Sequence, residues 1–146
     1  MTDDIFNLFD KQEQEALRAA VARAESQTSG EIRLHLEDRC KAMVLDRAAF
    51  LFEKLQMHET ERRNGVLFYL AYKDHKFAIL GDAGINAVVP KYFWDDIRDT
   101  MKVHFKAGRF LEALVCGIEE AGKQLSQHFP RQANDANELP DDISFG

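Results

Sequence analysis

The sequence predicts an α/β domain that is built around a short mixed β-sheet. The first observation is the succession of an alternating segment (31–37), a helical pattern (42–56) and an almost continuous apolar run (66–72). A strand, a helix and a strand in this order form a right-handed crossover with parallel strands. The second observation is a short polar turn that follows this run and precedes another run at 77–80. Two such runs predict a central β-hairpin.

The composition is typical of one soluble globular domain. The chain has 146 residues, of which 45% are hydrophobic and 30% are charged, so it is long enough to bury a core. A net charge of −6 argues against nucleic-acid binding through a general basic surface. No segment approaches the roughly 18 to 20 apolar residues that a membrane span requires, and the first residues lack the layout of a signal peptide. We therefore expect a cytoplasmic protein without a membrane span.

The elements before the hairpin follow from capping and periodicity. Asp10, with Glu13 three residues later, predicts the start of a helix over 11–27. Strict alternation over 31–37 predicts a strand with one buried face. His35 falls on the polar face of this strand, where we expect it to be exposed to solvent.

The hairpin turn sets the expected register of the next two strands. If Asp74 and His75 are the two turn residues, Tyr69 pairs with Leu80. The run at 66–72 is apolar at nearly every position, which indicates a central strand that is covered on both faces.

Two helices are predicted after the hairpin. Pro90 suits the first turn of one of them, and a longer helix follows over 109–129 and ends at Pro130. Cys116 lies in an apolar part of this second helix, and we expect it to be a core residue, because free cysteines are often buried.

The chain after the last helix lacks helical or strand periodicity. We expect one domain over residues 1–130 and a loose acidic tail over 131–146. Ile143 and Phe145 are the residues that we expect to dock this tail locally.

The predicted topology brings three polar, glycine-bearing segments to one edge of the sheet. These segments are 28–31, 61–65 and 81–86. The first two precede parallel strands, and the third follows the antiparallel strand, so all three lie at the same edge. We call this region the polar edge.

Oxygen-bearing side chains at the polar edge suggest a site for a divalent cation. Asp82, Glu31 and Glu61 can supply carboxylate ligands to Ca²⁺ or Mg²⁺, and Asn64 or Asn86 can add a carbonyl oxygen.

The same edge carries basic side chains and glycines that allow other interpretations. Arg62 and Arg63 can instead hold an anion such as phosphate. Gly65, Gly81 and Gly84 permit a close approach of the backbone. Because turns at strand ends need these same residue types, a purely structural role is an open alternative.

The order of these motifs resembles a known family. Thr-Ser-Gly-Glu-Ile at 28–32, Asn-Gly-Val-Leu at 64–67 and Gly-Asp-Ala-Gly at 81–84 are followed by Trp94. Over residues 10–130 this pattern is similar to the TPM domain, which is named for a thylakoid lumen phosphatase, a photosystem repair protein and a modulator of acetylcholine receptors. The resemblance implies a three-layer α/β/α sandwich around a short mixed sheet with a central hairpin. It also implies binding of a divalent cation and, in the plant branch, acid phosphatase activity.

Two functional hypotheses follow. The first is a soluble accessory module that binds a protein partner. The second is a divalent-metal-dependent acid phosphatase, in which Asp82 and Glu31 hold the ion and Arg62 or Arg63 steers the phosphate. In one respect the chain departs from the family pattern, because Arg63 occupies the position before the Asn-Gly pair where many members have an acidic residue.

Overall fold

The computed structural model describes residues 8–132 and 143–146. Within these residues the chain folds into five helices and a four-stranded mixed sheet. The helices are α1 (Lys11–Glu25), α2 (Val44–Lys54), α3 (Ala83–Asn86), α4 (Asp95–Lys106) and α5 (Phe110–Leu125). The strands are β1 (Glu31–Glu37), β2 (Gly65–Ala71), β3 (Lys76–Gly81) and β4 (Ser144–Phe145).

The strand order across the sheet is β3-β2-β1-β4. β1 and β2 are parallel, and β2 and β3 form an antiparallel hairpin, which confirms the predicted crossover and the central hairpin. β4 pairs in parallel with β1, and Ile143 beside it is buried, so the expected local docking of this segment is confirmed. The rest of the predicted acidic tail falls mainly on 133–142, outside the described residues.

The predicted register of the hairpin was wrong by two residues. Tyr69 pairs with Ala78, not with Leu80. The reason is a turn of four residues (72–75), in which His75 adopts a positive φ of 53°. Because the shift is an even number of residues, each side chain remains on the face of the sheet that the alternation predicts.

Helices cover both faces of the sheet, which confirms the three-layer sandwich. On one face, α1, α4 and α5 pack against β1, β2 and β3, and they bury the larger part of the core. On the other face, α2 alone among the described helices packs against β2 and β3. In the part of the chain that the structure describes, no helix combines the length and the apolar character needed to cross a bilayer.

His35 is buried, so the expectation that it faces solvent was wrong. Only 3% of the residue is exposed. Its ring stacks on that of Tyr69, with 6.0 Å between ring centroids, and Nδ1 lies 2.7 Å from the Ser144 hydroxyl of β4. The polar face of β1 is therefore covered by neighbouring elements that the pattern of β1 itself does not reveal.

The prediction that Cys116 is a core residue was wrong, because the residue is only half-buried. It lies on the side of α5 where two cavities open, one towards α4 and one towards α1. Burial, and then the nearby Glu120 and Glu119, raise the pKa of its thiol. Both Cys116 and the buried Cys40 are free thiols, and the raised pKa keeps Cys116 in its less reactive, protonated form.

Candidate functional site

The three polar segments meet at one edge of the sheet, as the topology predicts. The backbone N–H of Glu31 donates to the carbonyl oxygen of Asn64 at 3.2 Å, which joins the first segment to the second. The N–H of Gly84 donates to the carbonyl oxygen of Arg63 at 2.8 Å, which joins the third segment to the second. The polar edge is therefore a set of loops that are bonded directly to one another.

An ion pair between Arg63 and Asp82 lies at the centre of this edge. Nε and one terminal nitrogen of Arg63 each donate to a different Asp82 oxygen, both at 2.8 Å. The Asp82 Oδ1 atom also accepts the N–H of Ala83 at 2.7 Å, so Asp82 is the N-cap of α3. The Asp82 carboxylate is buried, and the Arg63 side chain is half-exposed. Both oxygens of Asp82 thus have donors from within the chain, and the guanidinium neutralises its charge.

Arg62 and Asn86 also bond to neighbouring groups of the edge. Arg62 donates to the Ser29 hydroxyl at 3.1 Å and to the side-chain oxygen of Gln132 at 2.9 Å. The Asn86 amide donates to the carbonyl oxygen of Gly81 at 3.1 Å. Arg62 remains exposed to solvent, so its guanidinium is the basic group at this edge that an anion in solution reaches most easily.

The glycines of the edge are sites of close backbone approach. A Cβ atom on Gly84 would lie 2.6 Å from the carbonyl oxygen of Arg63 and would also overlap that of Arg62. A Cβ on Gly65 would lie 2.8 Å from a backbone carbonyl oxygen of the preceding loop. A Cβ on Gly81 would lie 3.0 Å from the nearest ring atom of a tryptophan. These glycines allow the loops to pack on one another.

Asn64 carries an unpaired buried oxygen at the same edge. The residue is 1% exposed, its backbone N–H donates to the Thr60 hydroxyl at 3.1 Å, and its side-chain NH₂ donates to the carbonyl oxygen of Ser29 at 3.3 Å. Its Oδ1 atom accepts no hydrogen bond from the described residues. Since buried polar atoms rarely lack a partner, this oxygen is the atom of the polar edge that is best suited to accept from a water or a ligand.

The predicted carboxylates do not gather around a common point. Glu31 is buried and Glu61 is exposed. The described residues contain no group of three or more His, Cys, Asp or Glu side chains that is placed to hold a metal ion. As arranged, the edge does not fit Ca²⁺ or Mg²⁺, because the Asp82 oxygens already have donors. Metal binding by Asp82, Glu31 and Glu61 stays a prediction that requires the Arg63–Asp82 pair to open.

The sequence and the fold place this chain among known proteins. The family model of the TPM domain matches residues 2–124. The chain belongs to the TPM domain family. Its structure is similar to the NMR structure of the BA42 protein from the psychrophilic bacterium Bizionia argentinensis, with a TM-score of 0.90 and 46% identity over 94% of this chain and 95% of that one.

A more distant similarity concerns the fold alone. The N-terminal domain of a protein from P. gingivalis aligns with this TPM domain at a TM-score of 0.69 and 19% identity, over 87% of this chain and 83% of that one. No curated protein matches the chain.

A second polar cluster of this TPM domain lies at the opposite end of β1 and was missed by sequence reasoning. The buried Glu37 carboxylate accepts hydrogen bonds from two guanidinium nitrogens of Arg47, on α2, and from the Tyr69 hydroxyl, on β2. His35 Nε2 lies 3.3 Å from the same carboxylate. One signal was available in the sequence. The apolar run of β2 indicates that both faces of the sheet are covered there, and β1 pairs directly with β2, so the polar face of β1 is expected to be covered too.

The environment fixes the protonation states in this cluster. Burial alone would raise the pKa of Glu37, but the hydrogen bonds from Arg47 and Tyr69 outweigh it and hold that pKa below its ordinary value. Burial, and then the hydrogen bond to Glu37, raise the pKa of Tyr69. Burial also lowers the pKa of His35. At neutral pH the cluster therefore contains an ionised Glu37, a neutral Tyr69 and a neutral His35.

Ser144, His35 and Glu37 lie in the order of a nucleophile, a base and an orienting acid. Two observations argue against catalysis here. The His35 ring is buried beneath neighbouring side chains, so a substrate cannot reach it, and the Glu37 charge is already paired with Arg47. The chain of hydrogen bonds instead connects β4 to β1 and α2.

Proposed function

We propose that this TPM domain is a soluble, cytoplasmic accessory module that binds a protein partner through the outer face of α2. The observation that carries the proposal is the exposure of Met43 and Phe50, which are 74% and 55% exposed. Met43 is the N-cap of α2, and Phe50 lies within the helix. Large apolar side chains that are gathered on a surface mark interaction sites more often than isolated ones do.

Basic side chains flank the exposed ring on this face. The Arg47 guanidinium carbon lies 5.4 Å from the centroid of the Phe50 ring, and Lys54 Nζ lies 5.9 Å from it. We name the surface formed by Met43, Arg47, Phe50 and Lys54 the α2 face. Its apolar side chains gain from burial against apolar side chains of a partner. Lys54 can pair with a carboxylate of the partner, whereas the Arg47 guanidinium is already bound to Glu37.

The arrangement of the polar edge supports this proposal over a catalytic role. The Arg63 side chain and the α3 backbone occupy the Asp82 oxygens. Because the Asp82 oxygens are bound within the chain, we expect Asp82 to stabilise the loops of the polar edge and not to act on a substrate.

Site-specific photo-crosslinking tests the proposal. We would place p-benzoylphenylalanine at position 50, and as a matched control at the 63% exposed Val103, which lies on α4 on the other side of the sheet. In cells that express the protein, we expect position 50 to form a reproducible adduct with one partner and position 103 to form none. Co-purification of that partner should be lost in Phe50→Ser and retained in Val103→Ser. Equal capture at both positions, or retention in Phe50→Ser, would contradict the proposal.

The alternative function is a divalent-metal-dependent acid phosphatase. The observation that favours it is the buried Oδ1 of Asn64, which has no partner among the described residues. The exposed Arg62 belongs to the same edge, since both side chains hydrogen-bond to Ser29. A bound divalent ion would supply neutralisation of phosphate charge, while Arg62 would bind the phosphate group as a fixed cation.

A phosphomonoester assay separates the two functions. p-Nitrophenyl phosphate would be incubated with the purified protein in the presence of Mg²⁺ or Ca²⁺, with Asp82→Ala as the test variant. Asp99→Ala, at an exposed position of α4, is the control. Turnover that Asp82→Ala loses and Asp99→Ala retains would support a phosphatase, whereas turnover that is absent or equal in all three proteins would exclude this role.

A further inference from the structure

A cavity of about 290 Å³ lies at the end of the sheet opposite the polar edge. It opens between the β2–β3 turn and the junction of α4 with α5. The polar edge and the α2 face contribute none of the residues that line it, so this cavity is a separate feature of the molecule.

The floor of the cavity is aromatic. Phe77, Phe105 and Phe110 line it together with the buried Leu70. The ring centroids of Phe77 and Phe105 are 4.8 Å apart, and those of Phe105 and Phe110 are 5.4 Å apart, with tilted planes in both pairs. All three rings are only partly buried. A ligand ring that enters the cavity can therefore extend this tilted packing, which is the arrangement that aromatic rings prefer.

The rim of the cavity is basic. Lys102 and Lys106 lie one turn apart on α4, so their side chains share one side of the helix, and His75 lies across from them in the turn. The described residues that line this cavity include no acid. By contrast, Asp96 and Glu120 line the cavity between α4 and α5.

Two features of the surroundings add to the attraction for an anion. Asp74, the acid next to His75 in the chain, is paired with the Arg39 guanidinium at 3.0 Å. In addition, α5 begins at Phe110 without a side-chain cap, so its first N–H groups add partial positive charge beside the cavity. Glu112 in the first turn of α5 lines the cavity towards α1 instead, so Lys102 and Lys106 are the charged side chains among the residues that line this cavity.

We propose that this cavity binds a small aromatic carboxylate. The ring packs on the phenylalanine floor, and the carboxylate lies between Lys102 and Lys106. A volume of 290 Å³ corresponds to about ten water molecules at about 30 Å³ each, which suits one ring with a short acidic side chain. Because the site lies away from the α2 face and the polar edge, it adds small-molecule recognition to the proposed role in protein binding.

Titration with 3-phenylpropionate, followed by backbone amide chemical shifts, tests the proposal. We expect saturable shifts that are centred on 70–77 and 102–110. The doubly substituted Lys102→Met/Lys106→Met protein should bind at least tenfold more weakly, and it should remain folded because both lysines are exposed. Lys123→Met, at an exposed position of α5, should bind like the unaltered protein.

A neutral probe separates recognition of the charge from simple burial of the ring. 3-Phenylpropanol has the same apolar body without the carboxylate, and we expect it to bind at least tenfold more weakly than 3-phenylpropionate. The proposal would be overturned by equal binding of the two probes, by undiminished binding to the Lys102→Met/Lys106→Met protein, or by shifts that are centred elsewhere.

Discussion

Single polar side chains on β1 hold three other elements in place. The Glu37 carboxylate binds Arg47 of α2 and Tyr69 of β2, and His35 connects the same carboxylate to Ser144 of β4. Removing one partner from a buried charged group leaves the other without compensation. The cluster therefore makes the packing of this side of the sheet sensitive to the protonation of His35.

At the residue scale, we expect His35 to make stability fall in mildly acidic solution. Burial lowers its pKa below the ordinary value of 6.5, so the unfolded chain binds a proton more readily than the folded one. Stability is therefore lost as the pH falls from about 6.5 towards the lower pKa of the folded state. The lowered pKa of Glu37 acts in the same direction, but only below its ordinary value of 4.5.

Urea unfolding at pH values of about 7.5 and about 5.5 measures this effect. The loss of unfolding free energy between the two should be smaller in His35→Gln than in the unaltered protein. His128→Gln, at an exposed position, should retain the full loss. The same pH dependence in all three proteins would show that His35 is not the responsible group.

The sequence predicts the burial of one face of β1 correctly and that of the other face wrongly. Alternation places Ile32, Leu34 and Leu36 in the core correctly, because their own hydrophobicity determines their burial. It assigns His35 to solvent wrongly, because its cover comes from β4, more than a hundred residues later in the chain. A local pattern does not contain such a partner.

At the scale of elements, the polar edge is a packing junction between three loops. The N–H of Gly84 donates to the carbonyl oxygen of Arg63, and the first turn of α3 lies directly against the backbone of the 61–65 loop. The position of α3 therefore depends on the absence of a side chain at Gly84.

We expect Gly84→Ala to destabilise the protein by about 1–3 kcal/mol, because a Cβ overlaps two backbone carbonyl groups that cannot rotate away. The matched control is Gly30→Ala at the same edge. The nearest atom to a Cβ at Gly30 is 3.4 Å away, so this change should alter stability by less than about 1 kcal/mol. Thermal unfolding of both variants checks this prediction, and equal effects would contradict it.

The sequence predicts the central elements better than the peripheral ones. β1, α2, β2 and β3 have patterns long enough to define them, and the handedness of the crossover then fixes which strand ends meet. β4 has only two residues, which is too short for any periodicity, and its pairing depends on β1. The register of the hairpin was missed because His75 adopts a left-handed conformation, which lengthens the turn to four residues.

At the scale of the whole molecule, the three regions lie at different places on the sandwich. The polar edge joins loops at one end of the sheet, the aromatic cavity lies at the other end, and the α2 face lies on the thinner side of the sandwich. The topology predicted the convergence at the polar edge. It could not predict that Arg63 binds Asp82, because this contact depends on the positive φ of 51° at Arg63 and on its side-chain conformation.

The Arg63–Asp82 pair stabilises the folded chain by joining two loops of the polar edge. A double-mutant cycle with Arg63→Gln and Asp82→Asn tests it, since asparagine keeps the ability to cap α3. Because the Asp82 carboxylate is buried and accepts two hydrogen bonds from Arg63, we expect the effects of the two substitutions on the free energy of unfolding in urea to be non-additive. Additive effects would contradict this role of the pair.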